Sequence, residues 1–308
     1  MSWLFAVALS VTCCEASAIS ENEVVASQIA VIVSQNIRPY IEALEGLTSE
    51  ISRMDGVKEE VFFLDKFEGK ALVDLSRKLG EKGFDLFIAI GPHAARFVWK
   101  DISSNETPRF YSMVLNPEKV LDILGSEAGI PLNLSTRSQV EMIHAGIPFV
   151  KRLGLIFDPE YNLDFFNKAF KEAALINITI IPLVASSRKD IPLVLNDHWK
   201  DIDALWFIPD RTVISESIVE YVIKEALFNR IPVIGYNRFF YESGAALAFI
   251  FDYREIGRQC AKEAIRLLSE KDVKKTDPVF NVWVNRRVMK SLAIETDGRF
   301  APPLDYGP

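Results

Sequence analysis

Two stretches decide the fold: FDLFIAIGP at residues 84–92 and IDALWFIPD at residues 202–210. Each has an aspartate in second place, runs on through continuous apolar residues and closes on a turn signal. An unbroken apolar run of this length reads as a strand covered on both faces, as in a parallel sheet. The two stretches align, Phe84-Asp85-Leu86 with Ile202-Asp203-Ala204, at an offset of 118 residues. A second pair, Thr107-Pro108 and Ile231-Pro232, aligns at an offset of 124. The chain therefore carries the same unit twice.

Working outward, Ile29 to Val33 and Glu60 to Leu64 read as strands before residue 84, with Pro108 to Val114 after. Helical spacing joins them, at Tyr40, Ile41, Leu44, Leu47, Ile51 and Met54, at Leu72, Leu75 and Leu79, and from about Ala94 to Asp101. The second unit repeats the order. Its strands are Leu153 to Phe157, Ile178 to Val184, Ala204 to Ile208 and Pro232 to Tyr236. Its helices run from about Leu163 to Ala174 and along Ile214, Ile218, Val219, Val222, Ile223 and Ala226. Alternating strands and helices with right-handed crossovers predict two doubly wound α/β lobes.

A strand at Ala245 to Phe251, a helix from Tyr253 to Leu268, a strand from Phe280 to Val284 and a short ending remain. They are too little for a third lobe. The economical solution is a chain that crosses between the lobes near Pro131–Leu134, Phe251–Asp252 and Pro278–Val282, with three parallel strands forming a hinge. The expected division is 28–132 plus 252–278 for the N-terminal lobe, 133–251 plus 279–296 for the C-terminal lobe, and 297–308 as a tail.

Composition sets the outer bounds. The chain has 308 residues, 49% hydrophobic and 25% charged, which suits two globular domains. A formal net charge of -7 argues against a nucleic-acid partner. Residues 1–18 read as a secretory signal peptide: Met1 to Cys14 are uncharged, and Ala16-Ser17-Ala18 gives an A-x-A cleavage pattern, although no Lys or Arg precedes the apolar run. Cleavage after Ala18 places the mature chain outside the cytoplasm, in the periplasm. A lipid anchor on Cys14 is the alternative. The mature chain then keeps only Cys260 and no internal disulfide.

The order and spacing of several segments resemble the substrate-binding proteins of ABC transporters with the type 1 periplasmic-binding fold, in a subgroup that includes tryptophan-binding lipoproteins. The matching segments are Ile29 to Gln35, Phe84 to Pro92, Lys151 to Asn162, Pro209 to Val213, Ile231 to Tyr236, and above all GAALAFIFDYREIGRQ at 244–259 followed by Val284-Asn285. The chain has Asn116-Pro117 where the family often has Asp-Pro, and Asp210-Arg211-Thr212 where it often has Asp-Asn-Thr. The resemblance implies capture of a small ligand between the lobes by hinge closure, and delivery to an ABC permease. A sensory module that presents its closed form to a membrane receptor is the alternative. A monomer is expected.

In a parallel sheet, ligands bind beyond the carboxyl ends of the strands, where helix N-termini offer unpaired N–H groups. The candidate ligand residues are therefore Gln35 and Asn36 after the first strand, beside Ser34; Gly91, Pro92 and His93 after the third; and Asn116, beside Leu115. In the second lobe they are Asp158 and Tyr161, Asp210 and Arg211, and Tyr236 and Arg238, with Asn237 between. Each also has a structural reading. Gly91-Pro92 suits a helix start, Asp158 an N-cap, and Asp210 a cap for a helix at Thr212. As a buried acceptor Asp210 suits an ammonium. Arg211 and Arg238 suit a carboxylate or simply water. Tyr236, Phe239, Phe240 and Tyr241 suit stacking on a planar ligand or packing under their loop. An acid, two arginines and aromatics together suit an amino acid or an aromatic zwitterion.

Catalysis is not expected. The histidines, His93, His144 and His198, have no metal-ligand spacing. No G-x-S-x-G elbow, P-loop or G-x-G-x-x-G occurs. No metal and no cofactor is expected.

Overall fold

The computed structural model describes residues 27–295 apart from 104–105, 122–126, 213–214 and 271–272. The signal peptide, Cys13, Cys14, Val213, Ile214 and the 297–308 tail lie outside the described residues.

The first sheet contains β1 (Ser27–Val33), β2 (Val57–Phe63), β3 (Leu86–Ile90), β4 (Arg109–Val114) and β5 (Gly129–Pro131), all parallel, in the order β2-β1-β3-β4-β5. The second contains β6 (Arg152–Phe157), β7 (Thr179–Val184), β8 (Ala204–Phe207), β9 (Val233–Gly235), β10 (Leu247–Phe251) and β11 (Phe280–Val284), in the order β7-β6-β8-β9-β10-β11. Counted within each half, the first five strands follow one order, 2-1-3-4-5, so the sequence repeat is a repeat of topology. The aspartates in second place in the two quoted stretches do the same work. Asp85 accepts the backbone N–H of Gln28 at the start of β1, and Asp203 those of Lys151 and Arg152 at the start of β6. Burial pushes the Asp203 carboxyl up, but the Arg152 guanidinium and those N–H groups outweigh it and hold it below its ordinary pKa.

Apolar residues cover both faces of both sheets. Residues Ile29 to Val33 of β1 are fully buried. On one face of the first sheet lie α1 (Arg38–Ile51) and α10 (Tyr253–Ser269); on the other lie α2 (Lys70–Glu81) and α3 (Pro92–Lys100). Two glycines let α1 and α10 touch. A Cβ on Gly257 would stand 1.9 Å from the Ala43 carbonyl oxygen, and one on Gly46 1.9 Å from that of Arg254. The second sheet is covered by α5 (Thr136–Gly146), α6 (Pro159–Ala174) and α11 (Arg286–Ser291) on one side. On its other side lie α7 (Ile191–His198), α8 (Glu216–Phe228) and α9 (Arg238–Glu242). The remaining helix is the short α4 (Pro117–Leu121).

The chain passes three times between the sheets, and each passage joins carboxyl edge to carboxyl edge. From β5 it reaches Ser135, the N-cap of α5. Because α5 precedes β6 and runs against it, that cap lies at the carboxyl edge of the second sheet. From the end of β10 only Asp252 separates Phe251 from α10. Helix α10 starts beside Tyr40, whose ring packs on Gly91 at the end of β3. The last passage follows Thr276, whose N–H bonds Gly129, and enters the second sheet at Phe280 opposite Phe251. The Gln259 side chain clasps this passage, donating to the Asp277 carbonyl (2.8 Å) and accepting the Val279 N–H (3.0 Å). A strand that enters from the carboxyl edge must run against the others, so β11 is antiparallel to β10. This differs from the three parallel strands expected. Among the described residues no helix is long and apolar enough to cross a membrane.

Candidate functional site

The order 2-1-3-4-5 reverses direction between its second and third strands. Such a switch point opens a crevice at the carboxyl edge. In the first sheet this lies between β1 and β3. Ser34 is buried there; its N–H bonds the Ile90 carbonyl (3.0 Å), and its hydroxyl accepts the Ala94 N–H of α3 (2.9 Å). Gly91 has φ 91°, and a Cβ there would stand 2.6 Å from the Ser34 hydroxyl and 2.8 Å from the Tyr40 ring. Only glycine makes this turn without strain. Pro92 opens α3, and His93 is exposed on its first turn.

The equivalent crevice of the second sheet lies between β6 and β8, and it is built from two aspartates. Asp158 is 4% and Asp210 1% exposed. The Asp158 N–H donates to Asp210 Oδ2 (2.8 Å). The Asn162 amide donates to the same oxygen (2.7 Å), and the Thr212 N–H to Oδ1 (2.8 Å). Asp158 in turn accepts the Glu160 N–H (3.0 Å) as N-cap of α6 and the Thr212 hydroxyl (2.6 Å). Asn162 leaves helical geometry inside α6, at φ -129°, where its side chain reaches Asp210. Among the described residues neither carboxylate has an ion-pair partner. Burial pushes the Tyr236 hydroxyl up to about 12, and the Asp210 carboxylate adds to the shift.

Several expectations change. Asp210 does not cap a helix at Thr212, because α8 begins at Glu216 with Ser215 as its N-cap. It holds a turn instead, with both oxygens directed into the loop. Arg238 is on α9 and pairs with Glu242 one helical turn on (2.6 Å), in an exposed ion pair. Phe239, Phe240 and Tyr241 are on α9 rather than a loop. Phe240 is buried against Phe207 and Tyr236, so this cluster packs. Arg211 is exposed and lies over the Tyr161 ring, 5.6 Å from its centroid. Gln35 and Asn36 are exposed, with the Asn36 N–H on Asp65 (2.7 Å). Asn116 is exposed at φ 49°. The left-handed Met113 (φ 61°), at a bulge in β4, redirects the strand just before it.

The strand-tip rule missed Tyr40, Asn162 and Thr212, which complete the crevices from one turn away. It also missed a pocket of about 300 Å³ beside Ser34 and Gln35, between the turn at Leu64–Lys66, α2 and α3. Leu64, Leu72 and Phe97 form its apolar wall; Asp65, His93, Arg96 and Asp101 supply its charge and polarity.

Two doubly wound lobes, joined three times at facing carboxyl edges, make this a type 1 periplasmic-binding fold. The chain belongs to the ABC transporter substrate binding protein family, which matches residues 28–301. Among solved structures it is similar to a substrate-binding protein with adhesive properties from Clostridium difficile, in its ligand-free, open form. The TM-score is 0.73 at 18% identity, over 90% of this chain and 99% of that one. An ABC domain from Streptococcus pneumonia in complex with L-Trp gives 0.54 at 17% identity, over 88% and 95%. A periplasmic ribose ABC transporter protein from Conexibacter woesei gives 0.55 at 11% identity, over 88% and 95%. No curated protein sequence matches the chain.

Proposed function

We propose that this protein is an extracytoplasmic solute-binding protein. It captures a small ligand between the facing carboxyl edges, closes about the three passages and delivers the ligand to an ABC permease. The moving bodies are 28–132 plus 252–278 and 133–251 plus 279–296. Binding, not catalysis, is the proposed activity, and it uses no cofactor. The proposed contacts are Gln35, Asn36, Gly91, Pro92, His93 and Asn116 on one lobe, facing Asp158, Tyr161, Asp210, Arg211 and Tyr236 on the other.

The observation that carries this reading is the joining of both carboxyl edges by short passages. One intervening residue between β10 and α10 keeps the second passage short, which supports switch points that face one another. The family membership supports it. The buried acid pair adds a preference of sign: two carboxylates without a cation favour a ligand that brings one, such as an ammonium. Tyr161 and Tyr236 give that group an aromatic surround.

Thermal-shift screening of the mature protein against amino acids, amines, sugars and nucleobases tests the proposal. A ligand at ~100 times its dissociation constant adds about 2.7 kcal/mol, and small-angle scattering should then show a smaller radius of gyration. Stabilisation without contraction would remove hinge closure. No stabilisation by any solute would remove capture.

A further inference from the structure

We infer that the amino edge of the second sheet, the end of its strands away from the carboxyl edge, docks on an anionic lipid surface. This goes beyond ligand capture and does not depend on it.

Six strand ends are tied side by side along that edge. The Thr179 N–H bonds the Lys151 carbonyl, and the Asp203 N–H that of Arg152. The Leu205 N–H bonds Pro232, the Ala246 N–H bonds Val233, and the Asn285 N–H bonds Ala246. Because β11 runs against β10, its last residue, Val284, arrives opposite Leu247, and α11 starts at this same edge. At about 4.8 Å per strand the edge is roughly 24 Å wide.

Its charge is opposite to that of the whole chain. Segments 146–152, 174–179, 198–203, 228–232, 243–246 and 284–291 hold seven basic residues and two acidic ones, a net of +5 in a chain of -7. Arg152 is paired with Asp203. The other six, Lys151, Lys200, Arg230, Arg286, Arg287 and Lys290, are exposed, and among the described residues none of them has an ion pair. Arg286 and Arg287 lie in the first turn of α11, where a helix favours acids over cations, so they do not serve the helix. The loops that enter β2, β3 and β4 at the amino edge of the first sheet have the other sign. Segments 52–57, 81–86 and 101–109 hold three basic residues and five acidic ones.

The same edge shows apolar side chains. Phe149, before β6, is 50% exposed; Leu175, the C-cap of α6, 72%; and Phe228, the last residue of α8, 86%. Among the described residues the exposed large apolar side chains of the first lobe, Ile37, Val73 and Leu115, all lie at or before the first helical turn after a strand, toward the carboxyl edge. Cations alone suit any polyanion. Cations beside uncovered Phe and Leu suit a bilayer, whose headgroups take the charge while its interface takes the apolar groups. A hydrated polymer leaves those groups in water. The strands run from this edge to the carboxyl edge, so docking here leaves the carboxyl edge uncovered.

The test is co-sedimentation of the mature chain with two kinds of vesicle, phosphatidylcholine alone and phosphatidylcholine mixed with phosphatidylglycerol, at low and at physiological salt. Binding should need the anionic lipid and weaken as salt rises. One cation near such a surface is worth about fivefold in partition, so Arg286→Gln with Arg287→Gln should lower binding about tenfold or more. Arg77→Gln with Lys78→Gln removes the same charge from α2 and should change binding less than about twofold. Phe228→Ser should lower it with the charge unchanged. Thermal melting of each variant without lipid controls for folding. Equal binding to both vesicles, binding to neither, or equal losses in the α11 and α2 variants overturns the inference. Binding of soluble polyphosphate that matches the vesicles and ignores Phe228→Ser assigns the edge to a hydrated polyanion and overturns it. So does self-association without lipid that Arg286→Gln with Arg287→Gln abolishes, which assigns the edge to a second copy of this chain.

Discussion

Replacing Asp210 with alanine separates a ligand contact from a structural one. A side chain that serves only the ligand leaves the unliganded melting point unchanged when removed. Here the carboxylate accepts from the Asp158 N–H, the Asn162 amide and the Thr212 N–H, and it is 1% exposed. Alanine orphans all three donors. The buried Asp158 N–H alone forfeits about 1–3 kcal/mol, and the two part-buried donors about 0.5–1 each because water reaches them. Relief of repulsion between two neighbouring carboxylates offsets part of this. The net expectation is about 2–4 kcal/mol. At roughly 2–4 °C per kcal/mol for a unit of this size, the unliganded protein should melt about 4–16 °C lower. Asp210→Asn keeps one acceptor oxygen and removes the charge, so it should fall between wild type and alanine. Calorimetry or urea unfolding of the three proteins, without ligand, reads the order directly. If alanine melts within 2 °C of wild type, the turn does not depend on Asp210 and the reasoning from its three bonds fails.

Gly257→Ala should be strongly destabilising. Its methyl would stand 1.9 Å from the Ala43 carbonyl oxygen, so α10 must lift from α1 at a cost of about 3 kcal/mol or more, read by urea unfolding. Stability should also fall with alkali. Burial pushes the Cys260 thiol up to about 12 from an ordinary 9, so the folded state keeps a proton that the unfolded chain has lost. The unfolded state then binds fewer protons between about pH 9 and 12, and unfolding becomes easier as pH rises through that window. Cys260→Ala should flatten the decline, and an unchanged slope would assign it elsewhere. Gln259→Ala removes the acceptor for the Val279 N–H. Hydrogen exchange at that amide should speed at least tenfold, and equal rates would show that the clasp does not hold the third passage.

The strands were legible because parallel sheets write themselves plainly. Ile29 to Val33 is apolar without a break, and the fold buries it on both faces. Helices α5 and α7 were not read as distinct elements. The first, TRSQVEMIHAG, buries only Val140 and Ile143 among its large apolar side chains, and the second, IPLVLNDH, spans barely two turns. Neither shows a sustained stripe. The direction of β11 lay outside any local pattern, since FNVWV reads alike in either sense. What fixes it is the side of the sheet from which the chain arrives, and the return past Gly129, where the Thr276 N–H bonds the Gly129 carbonyl, sets that rather than any propensity of its own five residues.

The site divides along a similar line. A strand tip is a position, and Asp158, Asp210 and Gly91 were found because the position follows once strands are placed. Whether a tip side chain faces a ligand depends on its lone pairs, and these are filled by partners remote in sequence: Asp158 and Asp210 are 52 residues apart, Asn162 and Asp210 48. An acid that looks free in sequence can be the keystone of its own loop, as Asp210 is.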